Sequence, residues 1–321
     1  MFPALLSSVI VASAIAPALL LLWLVVTADS RPEPPRLVLI AVLLGTLSAI
    51  LAAIVETVIV PLLPASADPL QVLESSFLLT GIPEETLKIA CIAAIGLRAH
   101  DFDEPMDGVV YGAAVGLGFA AFENFFYLWG EPDWVSVAIM RGLLTIPFHG
   151  SLGAIAGAYI ARARFGGALG ADRHSRWRRP RLLVSAWLIP VILHSLFDTA
   201  VMLQRDGVSG ATDLEMGIAG LVMLATGITT IVFAVRLALR IAHRQKAWLQ
   251  TKRLPPADWR GVWAQSLIAV GLSIAAGALL FSGSLTIGIV AAAMMIAAIA
   301  VAWRCARYLT FAAIRRHHAA P

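Results

Sequence analysis

Two adjacent carboxylates and an amine lie in the stretch E-E-T-L-K, Glu84 to Lys88, within an otherwise apolar run. Glu84 and Lys88 are four residues apart, so a helix places them one turn apart on one side. Glu85 adds a second carboxylate beside the first. A pair of carboxylates held in different environments is what acid–base chemistry at neutral pH requires.

Three further motifs carry polar groups in apolar surroundings, and they follow in order along the chain. F-E-N-F-F-Y holds Glu123 and Tyr127, F-H-G-S-L-G holds His149, and H-S-L-F-D holds His194 and Asp198. Glu123 and Tyr127 are four residues apart, as are His194 and Asp198. Each of these two pairs therefore combines an acceptor or base with a partner one helical turn away.

The elements that position these motifs are predicted to be membrane-spanning helices. The chain is 59% hydrophobic and 14% charged, against about 25% charged in a soluble domain. A window of about 20 residues predicts an all-α polytopic membrane protein, a helical bundle of about nine transmembrane helices. The predicted spans are Phe2–Val26, Leu37–Val60, Leu70–Leu97, Met106–Trp129, Trp134–Ile160, Leu182–Leu203, Gly217–Val235, Val262–Phe281 and Leu285–Trp303.

Basic residues predict the orientation, because Lys and Arg in short loops stay in the cytoplasm. They concentrate at 162–181, at 236–260 and in the tail. The N-terminus is therefore predicted outside and the C-terminus inside. Anionic lipid headgroups account for the net charge of +4, so the bilayer is the expected partner and nucleic acid is not.

The chain divides into three predicted parts. Residues 1–36 form a first transmembrane helix, retained because it lacks the basic start of a signal peptide, and a cytoplasmic loop. Residues 37–205 form a catalytic membrane core with the four motif-bearing helices, and residues 206–321 add C-terminal helices and a basic tail.

Prolines precede three of the motif residues, and they predict interrupted helices at membrane depth. Pro83 comes directly before Glu84, Pro147 two residues before His149, and Pro190 four residues before His194. Interrupted helix in a membrane is tolerated where it lines a cavity. An ionisable group near the bilayer centre costs about 2.5 to 3.5 kcal/mol, so the motif residues are expected to face one another or water.

Glycines and a few isolated groups complete the pattern. Glycines at every fourth residue, at 108, 112 and 116 and at 153 and 157, predict close helix contact. Glu56 and Glu74 lack a partner pattern and are interpreted as interfacial or structural. Cys91 and Cys305 lack metal-ligand spacing and are interpreted as small hydrophobic residues.

The four motifs in this order resemble those of the PrsW family of bacterial intramembrane proteases, a relative of the CAAX-protease and bacteriocin-immunity superfamily. The family motifs are E-E-x-x-K, F-E-x-x-x-Y, H-x-x-x-G or S, and H-x-x-x-D. The resemblance covers Leu37 to Leu203, and the later spans match nothing recognisable. It implies an intramembrane endopeptidase of the bacterial plasma membrane that cleaves a single-pass membrane protein, such as a membrane-anchored anti-sigma factor.

If the chain hydrolyses a peptide bond, each motif residue is expected to have a role in the reaction. Glu84 or Glu85 acts as general base on a water molecule and then protonates the leaving amine. His149, His194 and Glu123 either bind a zinc ion or orient water and oxyanion directly without a metal.

Three residues support that chemistry. Asp198 is expected to orient the His194 ring. Tyr127 and Lys88 are expected to supply hydrogen-bond donors or positive charge to the developing oxyanion.

Two other classes of protein remain compatible with these residues. Buried glutamate, histidine and aspartate side chains also build the relays of proton- or metal-coupled transporters, although no inverted repeat is recognisable here. A non-catalytic membrane scaffold would use the same groups to hold its helices together.

Overall fold

The structure, a computed structural model, describes residues 2–31, 33–62, 68–166, 178–205 and 213–251. These residues form helices and no strand. In chain order the helices are α1 (Phe2–Ala28), α2 (Pro35–Ile59), α3 (Pro69–Ser76), α4 (Ile82–Arg98), α5 (Pro105–Leu128), α6 (Trp134–Met140), α7 (Ile146–Phe165), α8 (Arg178–Arg205) and α9 (Asp213–Thr251).

Six helical segments of the described residues are long and apolar enough to cross a membrane. They correspond to predicted spans one, two, four, five, six and seven. Predicted span three is an unbroken helical unit from Pro69 to Arg98 that carries Glu74, Glu84, Glu85 and Lys88, and it is not among the six. Predicted spans eight and nine, Cys305 and the C-terminus lie outside the described residues.

Two turns of π-helix interrupt the α-helices at the places where prolines predict a break. The turn Phe77–Gly81 joins α3 to α4, and the turn Arg141–Thr145 joins α6 to α7. Each is followed by an Ile-Pro pair, and the isoleucine N–H reaches back five residues, Ile82 to the Phe77 carbonyl and Ile146 to that of Arg141.

The prolines therefore follow a widened turn and do not break the helices. A proline cannot donate to the ladder and its ring crowds the preceding turn, and widening that turn by one residue relieves the conflict without breaking the helix. Around Pro190, α8 continues as an α-helix.

Helices α5 and α7 pack backbone against backbone, as the glycine spacing predicts. A Cβ atom added to Gly112 would overlap the Gly153 carbonyl, and one added to Gly108 would overlap that of Gly157. Gly116 lies in the same way against the carbonyl of His149. Only residues without a side chain allow this approach, which places His149 directly beside α5.

Helix α8 is held by side chains. The Phe148 ring stacks on Phe197 with centroids 4.2 Å apart, which joins α7 to α8. The Ser76 hydroxyl bonds the Ser195 carbonyl at 3.0 Å and the Thr199 hydroxyl at 2.6 Å, which joins α3 to α8. These contacts bring the end of α3 and the beginning of α4 against the middle of α8.

Four buried acids, Asp29, Glu33, Glu104 and Asp107, meet where α1 ends and α5 begins, and they are called here the acidic end cluster. Because burial disfavours the charged form, the pKa of Asp29 is raised to about 6 and that of Glu104 to about 7. Gln245 of α9 donates to both. The loop after α1 and the end of α9 therefore lie at the same end of the bundle.

Candidate active site

Three helices bring five of the motif residues together in one buried cluster. Glu84, Glu85 and Lys88 lie in the first two turns of α4, directly after one π-turn. His149 lies in the first turn of α7, directly after the other. His194 faces them from the middle of α8, with its ring centroid 4.9 Å from that of His149.

Lys88 forms the centre of this cluster. Its Nζ lies 3.0 Å from Glu84 Oε2, 2.8 Å from Glu85 Oε1 and 3.2 Å from His149 Nδ1. The Phe119 ring covers it, with Nζ 3.6 Å from the centroid. The Lys88 side chain has no exposed surface, and a buried ammonium is tolerated only when it is paired. Lys88 therefore ties α4 to α7.

His194 is oriented by Glu85. Its Nδ1 lies 2.8 Å from Glu85 Oε1, whereas its Nε2 lies 3.4 Å from Asp198 Oδ2 and 3.8 Å from Glu84 Oε2. A neutral imidazole that donates from Nδ1 to a carboxylate presents the Nε2 lone pair on its other side. Glu85 is thus in the position of an orienting acceptor at Nδ1, and Asp198 is the nearest carboxylate to Nε2.

His149 connects Lys88 to Glu123. Its Nε2 lies 3.0 Å from Glu123 Oε2, and Arg141 Nη2 lies 2.9 Å from the same oxygen. Glu123 Oε2 and Arg141 Nη2 are buried and make no hydrogen bond to a described residue, so these contacts are electrostatic. The side chains of Glu123 and Asp198 are each 22% exposed, and they mark the side from which the buried cluster can be reached.

Tyr127 lies outside the cluster. Tyr127 is one helical turn from Glu123 as predicted, but the residue is 42% exposed and its ring stacks on Arg141, whose Cζ lies 3.9 Å from the ring centroid. Tyr127 thus contacts the cluster through Arg141.

Two charged residues lie at the site that were not among the predicted site residues. Arg141 donates from Nε to Asn124 at 2.8 Å and pairs with Glu123. Glu56 of α2, interpreted from the sequence as interfacial or structural, lies close to Glu84. Both residues lie within predicted membrane spans, two and five. Because a charge inside a membrane needs a partner, this position could have identified them from the sequence.

The cluster has donor atoms suited to a metal ion, but Lys88 Nζ already lies within 3.2 Å of a donor atom of Glu84, Glu85 and His149. Glu84, Glu85, His149 and His194 each offer a donor atom, all within 4.8 Å of one another. Imidazole nitrogens and carboxylate oxygens are the donors that zinc accepts. The second oxygen of Glu85, Oε2, is buried and makes no hydrogen bond to a described residue. Glu123, the predicted third ligand, is not one of the four.

A helical membrane protein with a buried cluster of carboxylates, histidines and a lysine is the class that this fold and site define. Residues 33–235 match the PrsW family intramembrane metalloproteases, so the chain belongs to the PrsW family. The match extends beyond Leu203 into α9, where the sequence interpretation expected no likeness.

Several curated relatives share the matched region. The chain is 40% identical over 124 residues to Protease PrsW of Bacillus subtilis, 38% of this chain and 52% of that protein. It is 31% identical over 131 residues to Protease PrsW of Clostridioides difficile, 40% of this chain and 52% of that protein. Protease PrsW of Oceanobacillus iheyensis is 26% identical over 189 residues, 59% of this chain and 81% of that protein.

The chain thus spans about half the length of the first of these relatives. No solved structure matches it significantly.

Proposed function

We propose that the chain is an intramembrane endopeptidase that hydrolyses a peptide bond of a single-pass membrane protein in the bacterial plasma membrane, with membrane-anchored anti-sigma factors as the substrate class. The observation that carries the proposal is the cluster of Glu84, Glu85, Lys88, His149 and His194 at the junction of α4, α7 and α8. It lies within the region that matches the family.

Glu84 is the general base in this mechanism. Glu85 is committed to Lys88 and His194, whereas Glu84 lies on the side of Asp198 and Glu56. Glu84 takes a proton from water as the water oxygen bonds to the scissile carbonyl carbon. It returns that proton to the amide nitrogen as the carbon–nitrogen bond breaks.

The other residues position the reactants and balance charge. The Lys88 ammonium pairs with the carboxylates of both Glu84 and Glu85 and so offsets the repulsion between them. Glu85 fixes the His194 ring so that Nε2 faces the reacting groups. Arg141, supported by the Tyr127 ring, and Tyr127 itself supply positive charge and a donor near the exposed side of the cluster for the developing oxyanion.

His149 and His194, the latter through Nε2, are the residues that would hold a zinc ion, and Glu84 would remain the base. A bound zinc ion supplies Lewis acidity to a carbonyl and to water. Purified protein is expected to contain one zinc per chain by plasma mass spectrometry, and His149→Ala/His194→Ala is expected to contain none. Metal-free wild type that still cleaves would assign the reaction to Glu84 without zinc.

The experiment that tests the function is coexpression with doubly tagged single-pass membrane proteins from the same genome, followed by detection of cleaved fragments. Glu84→Gln is expected to reduce cleavage at least about 100-fold, the contribution of a general base. Glu74→Gln is the matched control, because Glu74 lies exposed in the same helical unit.

Full cleavage by an inserted Glu84→Gln protein would exclude Glu84 as the base. Absence of cleavage, combined with ion flux into sealed vesicles that depends on His149, would instead favour a transporter. Loss of insertion in every motif variant would favour a scaffold.

A further inference from the structure

The acidic end cluster lies far from the candidate active site. Asp107 and Glu123 both belong to α5 and are separated by 16 residues, which at 1.5 Å per residue is about 24 Å. The cluster joins the loop after α1 to the beginning of α5. It takes no part in the chemistry proposed above.

Two carboxylates of this cluster each present one oxygen without a hydrogen bond to a described residue. Asp107 Oδ2 accepts the backbone N–H groups of Asp103 and Glu104, both at 2.7 Å, while its Oδ1 is buried without a partner. Asp29 Oδ1 accepts the N–H of Arg31 at 3.1 Å, while its Oδ2 is buried in the same way. A buried acceptor without a donor is costly.

A third carboxylate faces them. Glu33 accepts the Tyr111 hydroxyl, and its carboxylate also lies against that of Asp107. One oxygen from each of Asp29, Glu33 and Asp107 lies within 4.8 Å of the others. Arg31 pairs with Glu104, so the guanidinium is engaged at the edge of this group. Three converging carboxylates at such distances repel strongly unless a cation or protons separate them.

The ligand type selects the cation. The group offers carboxylate oxygens and neither imidazole nor thiolate, the ligand set of a hard cation. Ligand distances of about 2.3 to 2.6 Å for Ca²⁺ allow oxygens up to about 5.2 Å apart, and those of about 2.0 to 2.1 Å for Mg²⁺ up to about 4.2 Å. The three oxygens lie within 4.8 Å of one another, which satisfies the limit for Ca²⁺, whereas Mg²⁺ requires them within about 4.2 Å.

We propose that Asp29, Glu33 and Asp107 bind one hard divalent cation, Ca²⁺ or Mg²⁺. The ion fastens the loop between α1 and α2 to the N-terminus of α5, at the end of the bundle opposite the active-site residues of α5. It stabilises the fold and is independent of the proposed proteolysis.

Equilibrium dialysis of the full chain in detergent with radioactive Ca²⁺, and Mg²⁺ as competitor, tests the site. One saturable ion per chain is expected. Asp29→Asn and Glu33→Gln are each expected to weaken binding at least about tenfold, because ligand charge sets affinity. Asp101→Asn, which removes an exposed acid of the neighbouring loop, is expected to bind as wild type does.

A second readout separates binding from misfolding. The ion should raise the thermal unfolding midpoint of wild type, since it binds only the folded chain, and Glu33→Gln should lose that rise while keeping its helical circular dichroism. His149→Ala/His194→Ala should retain both effects. Wild type without saturable binding up to about 1 mM, the weak end of protein sites, or unchanged affinity in both acid variants, would overturn the proposal.

Discussion

Lys88 is a fully buried ammonium that contacts side chains of its own helix and of α7. This ammonium is the charge partner of the Glu84 and Glu85 carboxylates. Glu85 in turn orients the His194 ring. A single cation thus determines the geometry of both glutamates and of one ring nitrogen of His149. The chemistry proposed for Glu84 would therefore depend on a residue that has no exposed surface.

Lys88→Met is expected to lower the free energy of unfolding by about 3 to 5 kcal/mol, because it leaves two buried carboxylates without their cation. Unfolding in mixed micelles, followed by circular dichroism, measures the change. Arg98→Met removes an exposed cation at the end of the same helix and should shift stability by no more than about 0.5 kcal/mol. Equal stability of the two variants would contradict the role assigned to Lys88.

The sequence predicts this cluster well where partners share a helix. The spacings of Glu84 with Lys88 and of His194 with Asp198 follow from the helical repeat, and the cost of buried charge predicts that the motifs meet. Arg141 and Glu56 contact residues of other helices. Spacing along one helix carries no information about such contacts, so they emerge only from the packed structure.

At the scale of helices, the two π-turns place the reactive residues. Each turn ends at an Ile-Pro pair, and the next turn carries Glu84 and Glu85 or His149. The prolines predict a disturbed helix, but the choice between a break and one extra residue depends on the helices packed around it. The sequence therefore predicts the location of the disturbance and not its form.

Deletion of Leu143 is expected to abolish cleavage. It shortens the π-turn Arg141–Thr145 to an ordinary turn and rotates Arg141 by about 100° relative to His149, which separates Arg141 from Glu123. The control is Leu143→Ala, which keeps the residue count and alters a side chain that is 75% exposed. The fragment assay described above measures both, and full activity of the deletion would show that the π-turn is dispensable.

The close contact of α5 with α7 limits the size of the side chains that it can accept. Gly112→Leu forces a side chain against the Gly153 backbone and is expected to cost about 1 to 3 kcal/mol or more in unfolding free energy. Gly217→Ala is the comparison, since no atom lies near its added Cβ, and alanine favours a helix by up to about 1 kcal/mol. A Gly112→Leu protein as stable as wild type would mean that the helices can separate without cost.

At the scale of the whole molecule, the helix ends distinguish the two faces of the bundle. Arg164, at the end of α7, donates to the carbonyl of Gly96 near the end of α4. The loop at 99–104, whose own charges give little guidance, therefore lies at the same end as Arg162 and Arg164. The positive-inside rule predicts that this end faces the cytoplasm and that the loop at 129–133 faces the outside.

Cysteine labelling tests this orientation. In a chain whose native cysteines are replaced by serine, Glu131→Cys is expected to react with a membrane-impermeant maleimide in intact cells. Asp101→Cys is expected to react only after permeabilisation. The reverse pattern would invert the topology and place the exposed side of Glu123 and Asp198 towards the cytoplasm.

The glycine contact joins two helices that leave the ribosome in close succession, α5 and then α7. Because synthesis runs from the N-terminus, α4, α5 and α7 are made before α8 supplies His194 and Asp198. A nascent chain that has reached Phe165 holds Lys88, Glu123 and His149 but neither of those two groups. Under the proposed function, translation itself delays proteolysis until α8 has inserted, so the newborn chain and its neighbours at the insertion site are not exposed to a working protease.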